Sequence, residues 1–188
     1  MRPLALALLL AFASACGDPP ALSAEQQALF DQPVDAELVV VPARNAMRYE
    51  TTTLEAPAGA TVRLVLDNSE TTSPAMVHNA VLLRSVVDVD RVGRAASGAP
   101  DNIPDDAAIL AYTPLTQPRM RSAVVFTMPR PGSYPFICTF PGHFQSMQGT
   151  LVSTPPIAPG GRPHRRRTRL PTASPRDGAS RAGAGPAS

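Results

Sequence analysis

The sequence predicts an all-β fold, a sandwich of two sheets built from seven to eight short strands. Three observations carry that expectation. Apolar and polar residues alternate with period two, most cleanly in 61–67, where Val62, Leu64 and Leu66 share one face and Thr61, Arg63 and Asp67 the other. Turn signals such as Pro57-Ala58-Gly59 and Pro129-Arg130-Pro131-Gly132 separate the strand-like runs. Nothing repeats at a fixed period, and short strands with turns between them are the pattern of a sandwich. With aromatics sparse and tryptophan absent, the core must come mainly from Val, Leu, Ile and Phe.

The chain opens with Met1-Arg2 and an apolar run from Pro3 to Phe12. Residues 1–15 therefore read as a cleavable export signal, too short to span a bilayer as a helix. Ala13-Ser14-Ala15-Cys16 resembles a bacterial lipobox, in which the Cys becomes the lipidated first residue. Ordinary cleavage after Ala15, leaving Cys16 free, is the competing reading. Either places the mature protein outside the cytoplasm, periplasmic or at the cell surface, and lipidation of Cys16 would hold it on a membrane. Residues 16–34 read as a tether. Within it, Ser23-Ala24-Glu25-Gln26 matches a capping-box pattern, which predicts a short helix through Phe30 ended by Pro33. Fully extended at about 3.3 Å per residue, the stretch before Asp35 reaches about 60 Å.

Residues 35–154 carry the β pattern. Leu38 to Val41 is a short apolar run, Met47 to Thr51 alternates, and 61–67 is the half-buried strand already described. Asn68 to Pro74 is a polar loop, after which Val77 to Leu83 reads as a strand carrying His78. Val86 to Val92 is ambiguous between strand and helix, and Gly98 to Asp106 is loop. Ile109 to Tyr112, Arg121 to Met128, Ser133 to Cys138 and Gln148 to Val152 supply the remaining strands. From Pro155 to Ser188 the composition turns to Pro, Gly, Ala, Ser and Arg, which cannot bury a core and predicts disorder.

Charge divides along the same boundary. Residues 17–154 hold nine Arg against fourteen Asp or Glu, a net −5, whereas 155–188 hold seven Arg and one Asp, a net +6. The whole-chain pI near 8.8 is thus a property of the tail, and gives no ground for nucleic-acid binding by the folded part. Arg165-Arg166-Arg167 is either a contact for anionic lipid or an acidic partner, or a solvated run.

The chemistry concentrates in Cys138-Thr139-Phe140-Pro141-Gly142-His143-Phe144-Gln145-Ser146-Met147, which places a thiolate, an imidazole and a thioether within ten residues. Soft sulfur with imidazole suits copper, and two His and one Cys with a weak Met form the ligand set of a blue-copper electron-transfer site. His78 is the natural second imidazole, whereas His164 sits among arginines. Zinc would fit three of these residues but makes poor use of Met147. Each ligand position is filled by protein, which leaves no open position of the kind metal catalysis requires, so an enzyme is not expected.

The loop resembles that of the azurin and auracyanin family of blue (type 1) copper proteins, the cupredoxins. Met76-Val77-His78-Asn79-Ala80-Val81-Leu82 is similar to the family's segment with the first histidine. Ile109 to Leu115 and Gly149 to Val152 are similar as well, so that the resemblance covers roughly 35–154. It implies a Greek-key sandwich with a short helical flap near 86–106, and one copper ion cycling between Cu(I) and Cu(II). It implies His78, Cys138, His143 and Met147 as ligands, with the Val77 carbonyl as a weak axial contact. The family usually has Gly where Val77 stands, a departure that bears on how near that carbonyl comes. Asn79 is implied as the tie between the two ligand segments. Pro141, Phe144 and Met76 are implied as an apolar docking patch around the ring edge of His143. Azurins commonly carry a disulfide, which this chain, with Cys138 claimed and no third cysteine, should lack. Cys138 has Ile137 and Thr139 beside it, not the neighbouring histidine that multicopper oxidases and copper nitrite reductases use, and a binuclear centre would need a second nearby cysteine. The reading is a monomeric electron carrier exchanging with donor and acceptor proteins. Copper storage or delivery on the same fold is the alternative, and an interaction domain with structural copper a third.

Overall fold

Strand β3 (Thr61–Asp67) is the spine of a three-stranded sheet in the computed structural model, which describes residues 21–85, 87 and 89–156. It pairs in parallel with β1 (Ala36–Val40) and antiparallel with β6 (Arg121–Thr127). The second sheet has five strands in the order β2 (Thr53–Pro57), β8 (Gln148–Thr154), β7 (Gly132–Ile137), β4 (Val81–Leu83) and β5 (Ile109–Tyr112). Here β2 and β8 run parallel and the other pairs antiparallel. The two sheets and eight strands form the expected sandwich.

The main core fills the space between the sheets. Leu38, Val40, Val62, Leu64 and Leu66 from one side meet Leu82, Tyr134, Phe136 and Leu151 from the other, and the cluster continues into Cys138 and Met147. Strand parity explains that continuation. Tyr134, Phe136 and Cys138 alternate onto the inner face, while Ile137 points outward. The outward side has its own cover, helix α2 (Val89–Ala96), whose Val92 packs with Val81, Leu83, Ala108, Ile137 and Phe144. The ambiguous stretch after Val86 thus resolves as a helix from Val89, matching the implied flap. β-Branched residues there serve packing on the sheet, which overrides their strand propensity.

Three expectations need correcting. Met47 to Thr51 is not a strand: Tyr49 makes an isolated bridge to Pro42, and the pairing strand is β2, farther along. Only Ala56 of β2 is buried, so it lacks the alternation that would reveal it. The strand expected over Val77 to Leu83 is shorter, and His78 lies ahead of β4 in an isolated bridge to Thr116.

The third correction concerns the tether. Helix α1 (Ala24–Asp31) forms behind Ser23, whose side chain accepts the Gln26 N–H at 3.2 Å. Gln26 does not complete the capping box. Its amide instead pairs with both backbone groups of Ala123 on β6, accepting the N–H at 2.7 Å and donating to the carbonyl at 3.3 Å. Arg63 holds the other end of α1. It is 8% exposed, although the alternation placed it on the polar face, because the helix covers it. Its guanidinium donates to Leu29 O at 2.8 Å and to Gln32 O, satisfying carbonyls at the helix C-terminus, and pairs with Glu37 at 2.8 Å. Phe30 completes the contact beneath Arg63 and Arg121, at 6.0 and 5.3 Å from its ring. A stretch docked in this way is not extended, so the 60 Å reach overstates it. The export signal, Cys16, most of the tail and His164 lie outside the described residues.

Candidate metal centre

The antiparallel register of β4 and β7 brings two distant segments together. Val81 pairs with Ile137 and Leu82 with Phe136, so continuing the ladder sets Asn79 opposite Thr139. The side chains close that step reciprocally. Asn79 Nδ2 donates to Thr139 Oγ1, and Thr139 N donates to Asn79 Oδ1, both at 2.8 Å. All four groups are buried, where a satisfied pair of this kind is rigid and a broken one costly. Asn68 secures the same region from behind, donating to Met76 O and Thr116 O at 3.0 Å. Thr116 in turn exchanges backbone hydrogen bonds with His78, at 2.7 and 3.2 Å.

The loop that follows Cys138 folds over on local chemistry. Phe140-Pro141-Gly142-His143 is a turn closed by His143 N donating to Phe140 O at 3.0 Å. Proline suits its second position, and Gly142 takes φ +82°, where a Cβ would be strained. Ser146 N and Met147 N then both donate to His143 O, at 3.0 and 2.9 Å, and Cys138 N donates to Met147 O at 3.0 Å. The loop therefore returns upon its own start, with Cys138, His143 and Met147 all buried.

Three donors converge as a result. Cys138 Sγ lies 3.6 Å from His143 Nδ1 and 4.0 Å from His78 Nδ1, and the imidazole centroids are 5.1 Å apart. The donor atoms all fall within 4.8 Å of one another, and all three residues are buried. One thiol and two imidazoles, each turning Nδ1 inward, fit a single copper ion. Burial sets their protonation. It lowers the pKa of His78 to about 4, with His143 adding repulsion, and lowers that of His143, so both rings are neutral and carry free lone pairs at neutral pH. Burial pushes the Cys138 thiol up to about 11, against the opposing pull of hydrogen bonds from the Asn79 and Phe140 backbone and the Tyr49 hydroxyl. Metal binding must therefore displace the thiol proton.

Other expected residues fall in different places. Met147 is fully buried in the core cluster that holds Cys138, and Val77 is buried next to His78. Pro141 and Gly142 are exposed, Met76 and Phe140 half-buried, and the Phe140 ring lies 4.9 Å from that of His143. His143 itself is only 4% exposed. Phe144 does not belong to an outer patch: at 6% exposed it packs inward against Val92, Val81 and Leu83. The missing side chain of Gly93 on α2 leaves the place its ring fills.

Two residues near the site escape sequence reasoning. Met47 is 50% exposed beside the loop, its carbonyl accepting from the Ser146 hydroxyl at 2.6 Å. Tyr49 is buried and donates to the Asn79 carbonyl. Both belong to the segment misread as a strand, so no sequence signal tied them to a loop nearly a hundred residues away.

Comparison with known proteins agrees with this donor set. Residues 36–153 match the plastocyanin/azurin family of copper binding proteins. The chain is 37% identical over 119 residues to auracyanin-B of Chloroflexus aurantiacus, covering 60% of this chain and 50% of that protein. It is 32% identical over 120 residues to azurin iso-2 of Methylomonas sp., covering 59% of this chain and 92% of that one. The match thus spans half the length of auracyanin-B. A solved auracyanin B structure superposes with a TM-score of 0.60 at 34% identity, over 66% of this chain and 92% of the other. A dithionite-reduced auracyanin from Roseiflexus castenholzii gives 0.58 at 29% identity, over 65% of this chain and 100% of that one.

Proposed function

The chain belongs to the plastocyanin/azurin family of copper-binding proteins, and we propose from that premise that it carries single electrons between redox proteins outside the cytoplasm. The observation that supports this most is the closed site. His78, Cys138 and His143 converge inside the core, fully buried or nearly so, with backbone and side-chain bonds holding both ligand segments. Bound copper supplies the one-electron couple. Cys138 would give the thiolate, His78 and His143 the neutral imidazoles, Met147 a weak sulfur donor, and the Val77 carbonyl a weaker oxygen. The Asn79–Thr139 clasp keeps those groups in one arrangement whichever charge they face, which lowers the rearrangement that each electron transfer requires.

Met147→Leu is expected to raise the midpoint potential, because the lost thioether favoured Cu(II). Met147→Gln, with a harder oxygen, is expected to lower it. About 59 mV corresponds to tenfold in a one-electron equilibrium, and equal potentials in the three proteins would remove Met147 from the ligand set.

A carrier also needs a surface where partners meet briefly. The loop that carries His143 exposes Pro141 and Gly142 and half-buries Phe140, Met47 is exposed beside it, and half-buried Met76 stands two residues before His78. Exposed apolar residues beside a site suit the small, weak interfaces of redox encounters. Met47→Glu is therefore expected to slow electron self-exchange severalfold, read by NMR line broadening in mixed oxidised and reduced samples, with colour, copper content and potential unchanged. An unchanged rate removes Met47 from the patch. A wild-type protein that does not exchange electrons, yet gives its copper to an apo-acceptor, would favour storage or delivery. Lipidation of Cys16 is part of the same proposal, and the intact mass of the exported protein decides it.

A further inference from the structure

The hairpin 42–49 is bonded to both segments that supply the donors of the metal centre. Its stem is closed by the Pro42–Tyr49 bridge and by Ala43 N donating to Arg48 O at 2.9 Å. Within it Asn45 takes φ +53°, a left-handed conformation that asparagine tolerates better than most residues. Its side chain reaches across to the stretch ahead of His78. Oδ1 accepts from Thr72 N at 3.0 Å and Ser73 N at 2.9 Å, while Nδ2 donates to Thr72 Oγ1 at 3.0 Å. Ser73 O in turn accepts from Met76 N at 3.0 Å, which leads directly into His78.

The same hairpin holds the other ligand segment through Met47, whose carbonyl accepts from the Ser146 hydroxyl at 2.6 Å. Ser146 N donates to His143 O at 3.0 Å, so this contact bears on the loop of the second histidine. The Asn79–Thr139 clasp ties the two segments through buried groups. The hairpin ties them a second time, through exposed Asn45, Thr72 and Ser146.

A bound ion leaves only after its ligands separate. A donor that lets go but is held close rebinds before a competitor arrives, because restraint keeps its effective concentration high. A hairpin bonded at both ends stops the His143 loop from moving off the His78 segment. We infer that Asn45 and Ser146 are positioning residues that slow copper release by locking hairpin 42–49 to both ligand segments. This rests on copper binding at the site, and holds whether the ion serves electron transfer or storage.

The test is the rate at which the copper-loaded, full-length protein gives Cu(I) to excess bathocuproine disulfonate, followed by the colour of the chelate. The ion changes ligands and not oxidation state. Asn45→Gly removes the side-chain bonds yet keeps a residue suited to positive φ, and Ser146→Ala removes one hydroxyl. Each is expected to release copper about tenfold faster, the effect of one or two net hydrogen bonds on an opening equilibrium. Asn45→Asp keeps the oxygen that the two N–H groups need, and should restore most of the wild-type rate. The double variant should release copper little faster than either single one, because the first cut already frees the hairpin. Wild-type release rates in the variants, with lower thermal midpoints in their copper-free forms, would give the hairpin a role in folding alone and overturn the inference. Effects that multiply in the double variant would overturn it too, since the two ends would then act separately. If the wild-type protein showed no reversible couple, the electron-carrier reading would fall, while the release rates would still decide the role of the hairpin.

Discussion

Replacing Cys138 by Ser is expected to abolish the intense visible absorption of the copper-loaded protein. The band requires a thiolate that donates to Cu(II). A serine hydroxyl stays protonated near neutral pH and supplies no comparable charge transfer. His78 and His143 would remain as two neutral imidazoles about 5 Å apart between centroids, so weak metal binding should survive. Loss of an outer hydrogen-bond partner alone costs about 10–100-fold in metal affinity, and loss of the central sulfur should cost more than that range. The hydroxyl would occupy a fully buried position where the Asn79 and Phe140 backbone point donors at it, so the fold should hold. Far-UV circular dichroism and a copper titration would check both halves. An intense blue or green band surviving in Cys138→Ser would show that another sulfur or a different site binds the metal.

The centre was legible in the sequence to the extent that its geometry is local. Cys138, His143 and Met147 lie in one loop whose turn residues, Pro141 and Gly142, are the types its backbone requires, so composition and shape agree. His78 could be picked out because few histidines compete for the role. Its position was harder to read, since it stands in an isolated bridge and not within the strand that follows. The sheets were legible wherever one face is buried and the other wet. They were not legible at β2, an edge strand with a single buried residue, or at Arg63, which looks polar and is buried because a helix lies across it.

Phe144 illustrates the remaining limit. An aromatic one residue after a ligand, on a loop expected to meet partners, reads as a surface anchor. Its true direction is set by α2, some fifty residues earlier, and by the absence of a side chain at one position there. Tyr49 and Met47 escaped for the same reason, because an irregular segment without a periodic pattern passes beside the loop. Contacts between irregular segments far apart in the chain leave no period to detect.

The second large effect is expected from Gly93→Ala. On helix propensity alone the change should stabilise α2 by about 1 kcal/mol. The packing argues the other way. A Cβ on Gly93 would lie 2.2 Å from Cγ of Phe144 and 2.4 Å from Cδ2. Cγ is the inner end of the ring, tied to the backbone, so the clash cannot be relieved by swinging a distant tip aside. Either α2 lifts from the sheet or Phe144 is driven outward, taking the neighbouring candidate ligand His143 with it. Overpacking of this kind costs about 1–3 kcal/mol, which outweighs the propensity gain. The thermal midpoint should therefore fall, and the visible band of the copper form should broaden as the loop loses its single arrangement. Phe144→Leu shortens the side chain and opens a small cavity, so it should be destabilising alone. Combined with Gly93→Ala it should cost less than the sum of the two, because the added methyl occupies space that the ring vacates. Strict additivity, or a Gly93→Ala protein more stable than the wild type, would show that the ring of Phe144 is not held against α2.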